Sequence, residues 1–417
     1  MANDIQFDAL PPAKMASRME AVGVKKAELN TWTMFALALL AGAFIGFGAI
    51  FATVVTTGLA DAGVGYGIIK LLGGLVFCLG LVGVVVAGAE LFTGNNLMIM
   101  AFASGKISIT QLLRNWVIVY VGNFAGSILL ALITFLTKQY MSAGGALGAN
   151  ALAIATGKCR LEFVQAIALG ILCNALVCLA VWLFLSARST TDKIVAIIFP
   201  ITAFVAAGFE HSVANMFFIS RGLLIKSLAG PAFWEALGKT AADYGALTWS
   251  TFLLKNLLPV TIGNIIGGAG FVGLVYWFIY LRPQKAVAVK PGVAPKILIV
   301  DDDPDYVELN TAILTGKGFQ VSSAANGRQA LETMKADRPD LVLLDVMMAT
   351  PLEGVGVARE MDGDPELKDI PIIMVSSIDS STHAGLLPND LHIPIDRWIS
   401  KPLDPDELLR TIRRFLA

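Results

Sequence analysis

Six long apolar stretches fill the first part of the chain, at residues 32–59, 67–103, 112–136, 163–185, 194–225 and 252–281. A helix needs about 20 apolar residues to cross a bilayer core, so the pattern predicts six crossings. The second and fifth stretches are too long for one plain span, and each holds a glutamate, Glu90 and Glu210. Both are predicted to be interrupted helices. After Pro283 the pattern changes to short apolar strands, at 296–300, 341–344, 372–375 and 397–400, set among mixed polar segments. That alternation predicts a soluble α/β unit with a parallel, doubly wound sheet.

The two halves of the apolar region echo each other. Gly88-Ala89-Glu90 in the second stretch returns as Gly208-Phe209-Glu210 in the fifth, and Gly122-Asn123-Phe124-Ala125-Gly126 in the third returns as Gly263-Asn264-Ile265-Ile266-Gly267 in the sixth. Three helices per copy is an odd number, so the copies run in opposite directions. This predicts an inverted repeat whose interrupted segments meet near the membrane midplane, where a permeation site lies.

Of the 417 residues, 56% are hydrophobic and 15% charged, which excludes a wholly soluble chain. The net charge of -1 and the lack of a dense Lys/Arg cluster exclude nucleic acid as a partner. Cys78, Cys159, Cys173 and Cys178 lack metal-type spacing and read as small hydrophobic residues. Residues 1–30 carry no signal-peptide core. Their 12–29 stretch, with Met15, Met19 and Val22, suits either an amphipathic helix lying under the membrane or a flexible tail. The domain plan is a cytoplasmic tail at 1–30, a membrane domain at 31–283, a linker at 284–294 and a soluble domain at 295–417. Loop charge does not orient the spans, because both sides carry Lys and Arg. Six crossings return the chain to the side on which it starts, so both termini are expected in the cytoplasm.

An ionisable group at membrane depth is costly unless it faces water or a partner, so Glu90, Glu210 and His211 are candidate functional residues. His211 stands out among the three histidines, since it alone lies in an apolar span. Its imidazole, with a reference pKa of about 6.5, can give a proton to a weak-acid anion or attract one as a cation. Thr93 and Asn95 sit in a segment that can leave helical geometry only where it lines a cavity or packs in protein. A hydroxyl there can bond both imidazole and anion. Phe77, Leu91, Phe92 and Phe204 suit dry constrictions or simple core packing.

The strings LVGVVVAGAELFTG (81–94), LGILCNALVCLAVW (169–182), GFEHSVANMF (208–217) and LPVTIGNIIGG (258–268) resemble the formate/nitrite transporter family, and within it the formate channels. The resemblance implies a pentamer of aquaporin-like protomers, each with its own pore. It implies that Thr93 and His211 form the central polar pair, that Phe77, Leu91 and Phe204 take constriction positions, and that Glu210 is the acid beside the histidine. Lys158 and Asn174 match residues that draw the anion in from the outer side. Where formate channels more often carry Ser-Thr-Val, this chain has Gly94-Asn95-Asn96, similar to nitrite-type members; formate, nitrite and hydrosulfide are the candidate anions.

In the soluble half, the first strand runs into Asp301, Asp302 and Asp303, the second ends at Asp345, the third at Ser376 and Ser377, and the last at Lys401-Pro402. In a parallel doubly wound sheet these ends share one edge, where sites form. Acids there suit Mg2+, and the cation and Lys401 offset phosphoryl charge on the carboxylate nucleophile. This half resembles the response-regulator receiver, a flavodoxin-like fold, over 295–417. The resemblance makes Asp301 and Asp302 metal-binding acids, Asp345 the phosphoacceptor, Ser376 the switch hydroxyl, Trp398 the switch aromatic and Lys401 the phosphate-binding lysine. The loop after Asp345 departs from it, with Ala349-Thr350-Pro351 and a late Gly354.

The expectation is a non-enzymatic, multi-pass protein of the bacterial inner membrane, a pentameric channel for a small monovalent anion. Its gating would follow phosphorylation of Asp345 by a histidine kinase or small phosphodonor. The rival expectation is a membrane-anchored sensor or scaffold whose receiver controls a partner.

Overall fold

The structure, a computed structural model, describes residues 9–282, 294–350, 352–376, 397–401 and 405–416. Residues 1–8 of the predicted tail, 284–293 of the predicted linker, Ser377 and Pro402 lie outside that set. The chain divides into two compact units, Met1–Arg282 and Pro283–Ala417.

Among the described residues the first unit is helical throughout. Its first half comprises α1 (Pro12–Glu28), α2 (Thr31–Thr56), α3 (Tyr66–Ala87), α4 (Phe92–Asn95), α5 (Ile99–Ala103) and α6 (Ile109–Leu136). The second comprises α7 (Ala146–Cys159), α8 (Phe163–Ser186), α9 (Thr190–Ala206), α10 (Ser212–Leu228), α11 (Pro231–Leu237), and a last helix, Thr251–Tyr280, containing α12 (Leu258–Ile265) and α13 (Val275–Tyr280). Polar side chains start the helices where the sequence offers them. Asn30 accepts Thr33 N–H at 2.8 Å, and Ser108 and Gln111 form a reciprocal capping box ahead of α6. The segment Thr251–Leu257 is a π-helix just ahead of Pro259, which has no N–H to give the preceding turn.

α2, α3, α6, α8 and the last helix are each long and apolar enough to cross a membrane. The predicted fifth stretch is divided between α9 and α10, and a sixth candidate span arises where α10 and α11, bent by 105°, are counted together. Both predicted interruptions are present: α3 and α9 end at Gly88 (φ 83°) and Gly208 (φ 74°), left-handed positions that suit glycine. The repeated small residues hold the halves to one plan. A Cβ added at Gly126 would land on the Leu39 carbonyl of α2, and one at Gly267 on the Ile171 carbonyl of α8. Tyr120 and Thr261, at equivalent places in the two copies, bond to each other at 2.8 Å.

The N-terminal segment takes the first of the two expected forms, a helix with one apolar face, and not that of a free tail. The apolar face of α1 packs on the bundle: Met15, Ala16 and Met19 are buried against Trp182, Leu185 and Leu281, and Ala27 against Met98 and Leu112. Arg18 donates to the Leu185 carbonyl at 3.2 Å, and Glu20 pairs with Lys106. Apolar burial of this kind is worth about 25 cal/mol per Å², enough to hold a helix whose polar residues also find partners.

The second unit is a five-stranded parallel sheet in the order β2-β1-β3-β4-β5, with β1 (Lys296–Val300), β2 (Gln320–Ala324), β3 (Leu341–Asp345), β4 (Ile372–Ser376) and β5 (Arg397–Ser400). Helices α14 (Pro304–Thr315), α15 (Gly327–Ala336), α16 (Glu353–Gly363) and α17 (Pro405–Phe415) follow the strands. Two apolar layers cover the sheet, one around Leu298, Val342 and Met374, the other around Ile297, Leu343 and Ile373. The sequence reading did not mark β2. It is an edge strand with only Ala324 fully buried, so its residues need not be apolar.

Candidate functional site

In each half of the membrane unit the interrupted helix is held by one set of polar bonds. Glu90 N–H donates to the Leu37 carbonyl at 3.2 Å, and Glu210 N–H to the Leu169 carbonyl at 3.3 Å. Asn123 donates to the Glu90 carbonyl at 2.9 Å and accepts Phe92 N–H at 2.9 Å; Asn264 donates to the Glu210 carbonyl at 3.0 Å and accepts Ser212 N–H at 2.9 Å. These backbone groups at the breaks are thus paired within the protein, as membrane burial demands.

The carboxylates are compensated in the same paired way. Glu90 takes Lys26 at 2.6 Å and Asn95 at 2.6 Å; Glu210 takes Lys158 at 2.8 Å and Asn215 at 2.7 Å. Asn95 goes on to Asn115, and Asn215 to Asn256, each at 2.8 Å. Lys26 ends the helix before the first span and Lys158 the helix before the fourth. Three crossings separate those spans, so the two lysines belong to opposite membrane faces.

Thr93 and His211 break the symmetry. Thr93 follows the first interruption and is fully buried; His211 precedes α10 and is 3% exposed. His211 Nδ1 accepts Ala214 N–H at 3.0 Å, as an N-cap, which puts the proton of the neutral ring on Nε2. Nε2 lies 3.0 Å from Thr93 Oγ1 and donates to it. The threonine proton is then free for a ligand. Phe204 stacks on His211 at 5.8 Å between centroids, and Phe77 meets Phe204 edge-on at 5.8 Å. A cavity of about 560 Å³ opens on this cluster, lined by Lys158, Phe77, Phe204, Glu210 and His211. Leu91 is buried at the start of α4, in the place His211 holds in the other half.

One expected placement changes. Asn174 does not line that cavity: it is fully buried and donates to the Thr93 carbonyl at 3.2 Å, Asn96 at 2.8 Å and the Asn264 carbonyl at 2.7 Å. It fixes the peptide behind Thr93. Asn95 is likewise spent on Glu90 and Asn115. Sequence reasoning missed Lys26, Asn115, Asn215 and Asn256, although Glu90 to Asn95 and Glu210 to Asn215 share one spacing that could have exposed the pairing.

In the soluble unit, Asp301, Asp302 and Asp345 offer carboxylate oxygens within 4.8 Å of one another. Asp303 turns away to cap α14, accepting Asp305 N–H at 3.0 Å. Lys401 Nζ lies 2.6 Å from Asp301 and 2.7 Å from Asp345. Burial pulls the Lys401 ammonium down, but its bonds to both acids push it up overall. Burial holds Asp301 above the ordinary carboxylate range despite Lys401 and the Asp303 N–H. Three carboxylates face one ammonium, so the cluster carries surplus negative charge, and its hard oxygens fit a divalent cation such as Mg2+. Gly354 packs so closely on the Asp345 backbone that a Cβ would strike it, and Leu352 ahead of it is left-handed at φ 65°. Ser376 and Trp398 lie on β4 and β5; their side chains, like Pro351, are outside the described set.

An inverted-repeat membrane bundle with a buried hydroxyl–imidazole pair, joined to a parallel α/β unit with an acidic edge, defines a membrane transport protein carrying a receiver. Residues 13–278 match the formate/nitrite transporter family and residues 297–413 the response regulator receiver domain. The chain belongs to the formate/nitrite transporter family. It is 47% identical over 282 residues to the formate channel FocA of Escherichia coli K12, covering 68% of this chain and 98% of that protein. It is 42% identical over 266 residues to FocA of Haemophilus influenzae, covering 64% and 93%. A solved pentameric formate channel with formate bound shares 51% identity over 60% of this chain and 98% of that one, with a TM-score of 0.58.

Proposed function

We propose that this chain forms a pentameric channel of the bacterial inner membrane for formate or a similar small monovalent anion, and that its receiver controls passage. Both termini are cytoplasmic in this reading, which makes the Lys158 face the outer one. The observation that carries it is the Thr93–His211 pair, buried beside Phe77 and Phe204 under a lysine-lined cavity.

Lys158 attracts the anion at the outer face, and Lys26 does so at the inner one. The phenyl rings strip hydration, which excludes larger and more strongly hydrated ions. Thr93 then donates to the anion while His211 holds the threonine oxygen, so one fixed donor replaces the lost water. Glu210, already bonded to Lys158, Asn215 and Asn256, keeps the lysine in place.

In the receiver, Asp301, Asp302 and Asp345 would hold Mg2+, which offsets phosphoryl charge when bound. Asp345 accepts the phosphoryl group from a histidine kinase or small phosphodonor, and Lys401 turns to a phosphoryl oxygen. The modification adds about 1.5 to 2 negative charges.

Proteoliposome uptake of formate, nitrite and hydrosulfide tests the transport part. Saturable formate uptake by the wild type, reduced at least tenfold by Thr93→Val, supports it; equal uptake by both proteins refutes it.

A further inference from the structure

Tyr306, in the first turn of α14, has a place in the acidic site that its sequence position does not announce. Lys401 Nζ lies 4.1 Å from the centre of its ring. The same nitrogen bonds Asp301 at 2.6 Å and Asp345 at 2.7 Å. An ammonium has three N–H donors; two reach carboxylates, and the phenol face meets the remaining side. The Tyr306 hydroxyl is buried and has no hydrogen-bond partner among the described residues. Burial, with the charges of Asp301 and Asp345, raises its phenol above the ordinary value, so the ring stays neutral and its face electron-rich.

Lysine is a point charge on a flexible stem, with much rotamer freedom to lose on being fixed. Two of its three contacts here must change when a phosphoryl group reaches Asp345, because the ammonium has to turn toward a phosphoryl oxygen. The ring contact need not. We propose that Tyr306 is a positioning residue for phosphoryl transfer to Asp345, its ring holding the Lys401 ammonium over the acceptor carboxylate. This rests on Asp345 being the phosphoacceptor. With acetyl phosphate, an Asp345 oxygen forms a bond to phosphorus as the bond from phosphorus to the acetyl oxygen breaks. Acetate leaves with the electron pair, and no net proton moves.

The test uses the full-length protein in detergent, with Mg2+ and radiolabelled acetyl phosphate, comparing wild type, Tyr306→Phe and Tyr306→Leu. Mg2+ affinity, measured without phosphodonor, reports whether the carboxylates keep their arrangement. Phe keeps the ring and is expected to label within about twofold of wild type. Leu loses the π face and is expected to label about threefold to tenfold more slowly, with Mg2+ affinity unchanged. Three results would each overturn the proposal: Leu labelling like wild type, Phe slowed as much as Leu, or Leu losing Mg2+ affinity in step with labelling. An unlabelled wild type, or a labelled Asp345→Asn protein, would instead remove the phosphoacceptor reading and this inference with it.

Discussion

Lys26 and Lys158 occupy equivalent places in the two inverted repeats, and each pairs with the glutamate of its own interrupted helix, at 2.6 Å for Glu90 and 2.8 Å for Glu210. The N-terminal helix is therefore a structural part of the first repeat, as α7 is of the second. Glu90 is buried and Lys26 half-buried, so removing Lys26 leaves the carboxylate short of its cation, at a cost below the roughly 3–5 kcal/mol of a fully buried pair. Lys26→Met should lower the unfolding temperature in detergent, and adding Glu90→Gln should recover most of the loss. No recovery in the double variant would show that Lys26 stabilises through its stem and not its charge.

Backbone contact between spans depends on the repeated glycines. A Cβ at Gly126 or Gly267 collides with a carbonyl of the neighbouring helix, which cannot swing aside as a side chain does. Gly126→Val and Gly267→Val should each cost more than about 4 kcal/mol and yield little folded protein by size-exclusion chromatography. Gly94→Ala, whose added carbon meets only Val181 at 3.6 Å, is the control and should purify normally.

Much of this was legible in the sequence, because it rests on rules that act over short spacings. The spans follow from run length, the interruptions from Glu90 and Glu210, and the repeat from Gly122/Gly126 and Gly263/Gly267. What stayed hidden depends on residues far apart in the chain. α7 has only 14 residues, too few for a span, and its purpose appears only when Lys158 reaches Glu210. Asn174 looked like a pore residue, yet its contacts come from α4 and α12 and turn it inward. β2 was missed because an edge strand with one buried residue leaves no apolar run.

His211 caps α10 through Nδ1 and serves Thr93 through Nε2. Asn at this position can still cap the helix but removes the imidazole Nε2 that holds the Thr93 hydroxyl. His211→Asn should remain folded and carry formate at least tenfold more slowly. Uptake at the wild-type rate would show that Thr93 needs no imidazole beside it.

Asp301 binds protons more readily than an ordinary carboxyl, chiefly because it is buried. A proton and Mg2+ compete for the same oxygens, so Mg2+ affinity should begin to fall, on acidification, before the ordinary carboxylate value of about 4 is reached. For folding the sign is opposite: ionised Asp301 is unfavourable without the cation, and its protonation relieves that penalty as pH falls through the raised value. Isothermal titration of Mg2+ at stepped pH checks the first statement. Asp301→Asn should abolish the shift along with most of the affinity.

The proposal that one chain is both an anion channel and its own regulator is tested most directly by formate flux in proteoliposomes with and without acetyl phosphate and Mg2+ on the receiver side. Wild-type flux should change severalfold when the phosphodonor is present, while Asp345→Asn should carry formate at the unphosphorylated rate throughout. Identical responses in the two proteins, or a phosphorylated wild type whose flux does not change, would contradict it and leave the receiver acting on a separate partner.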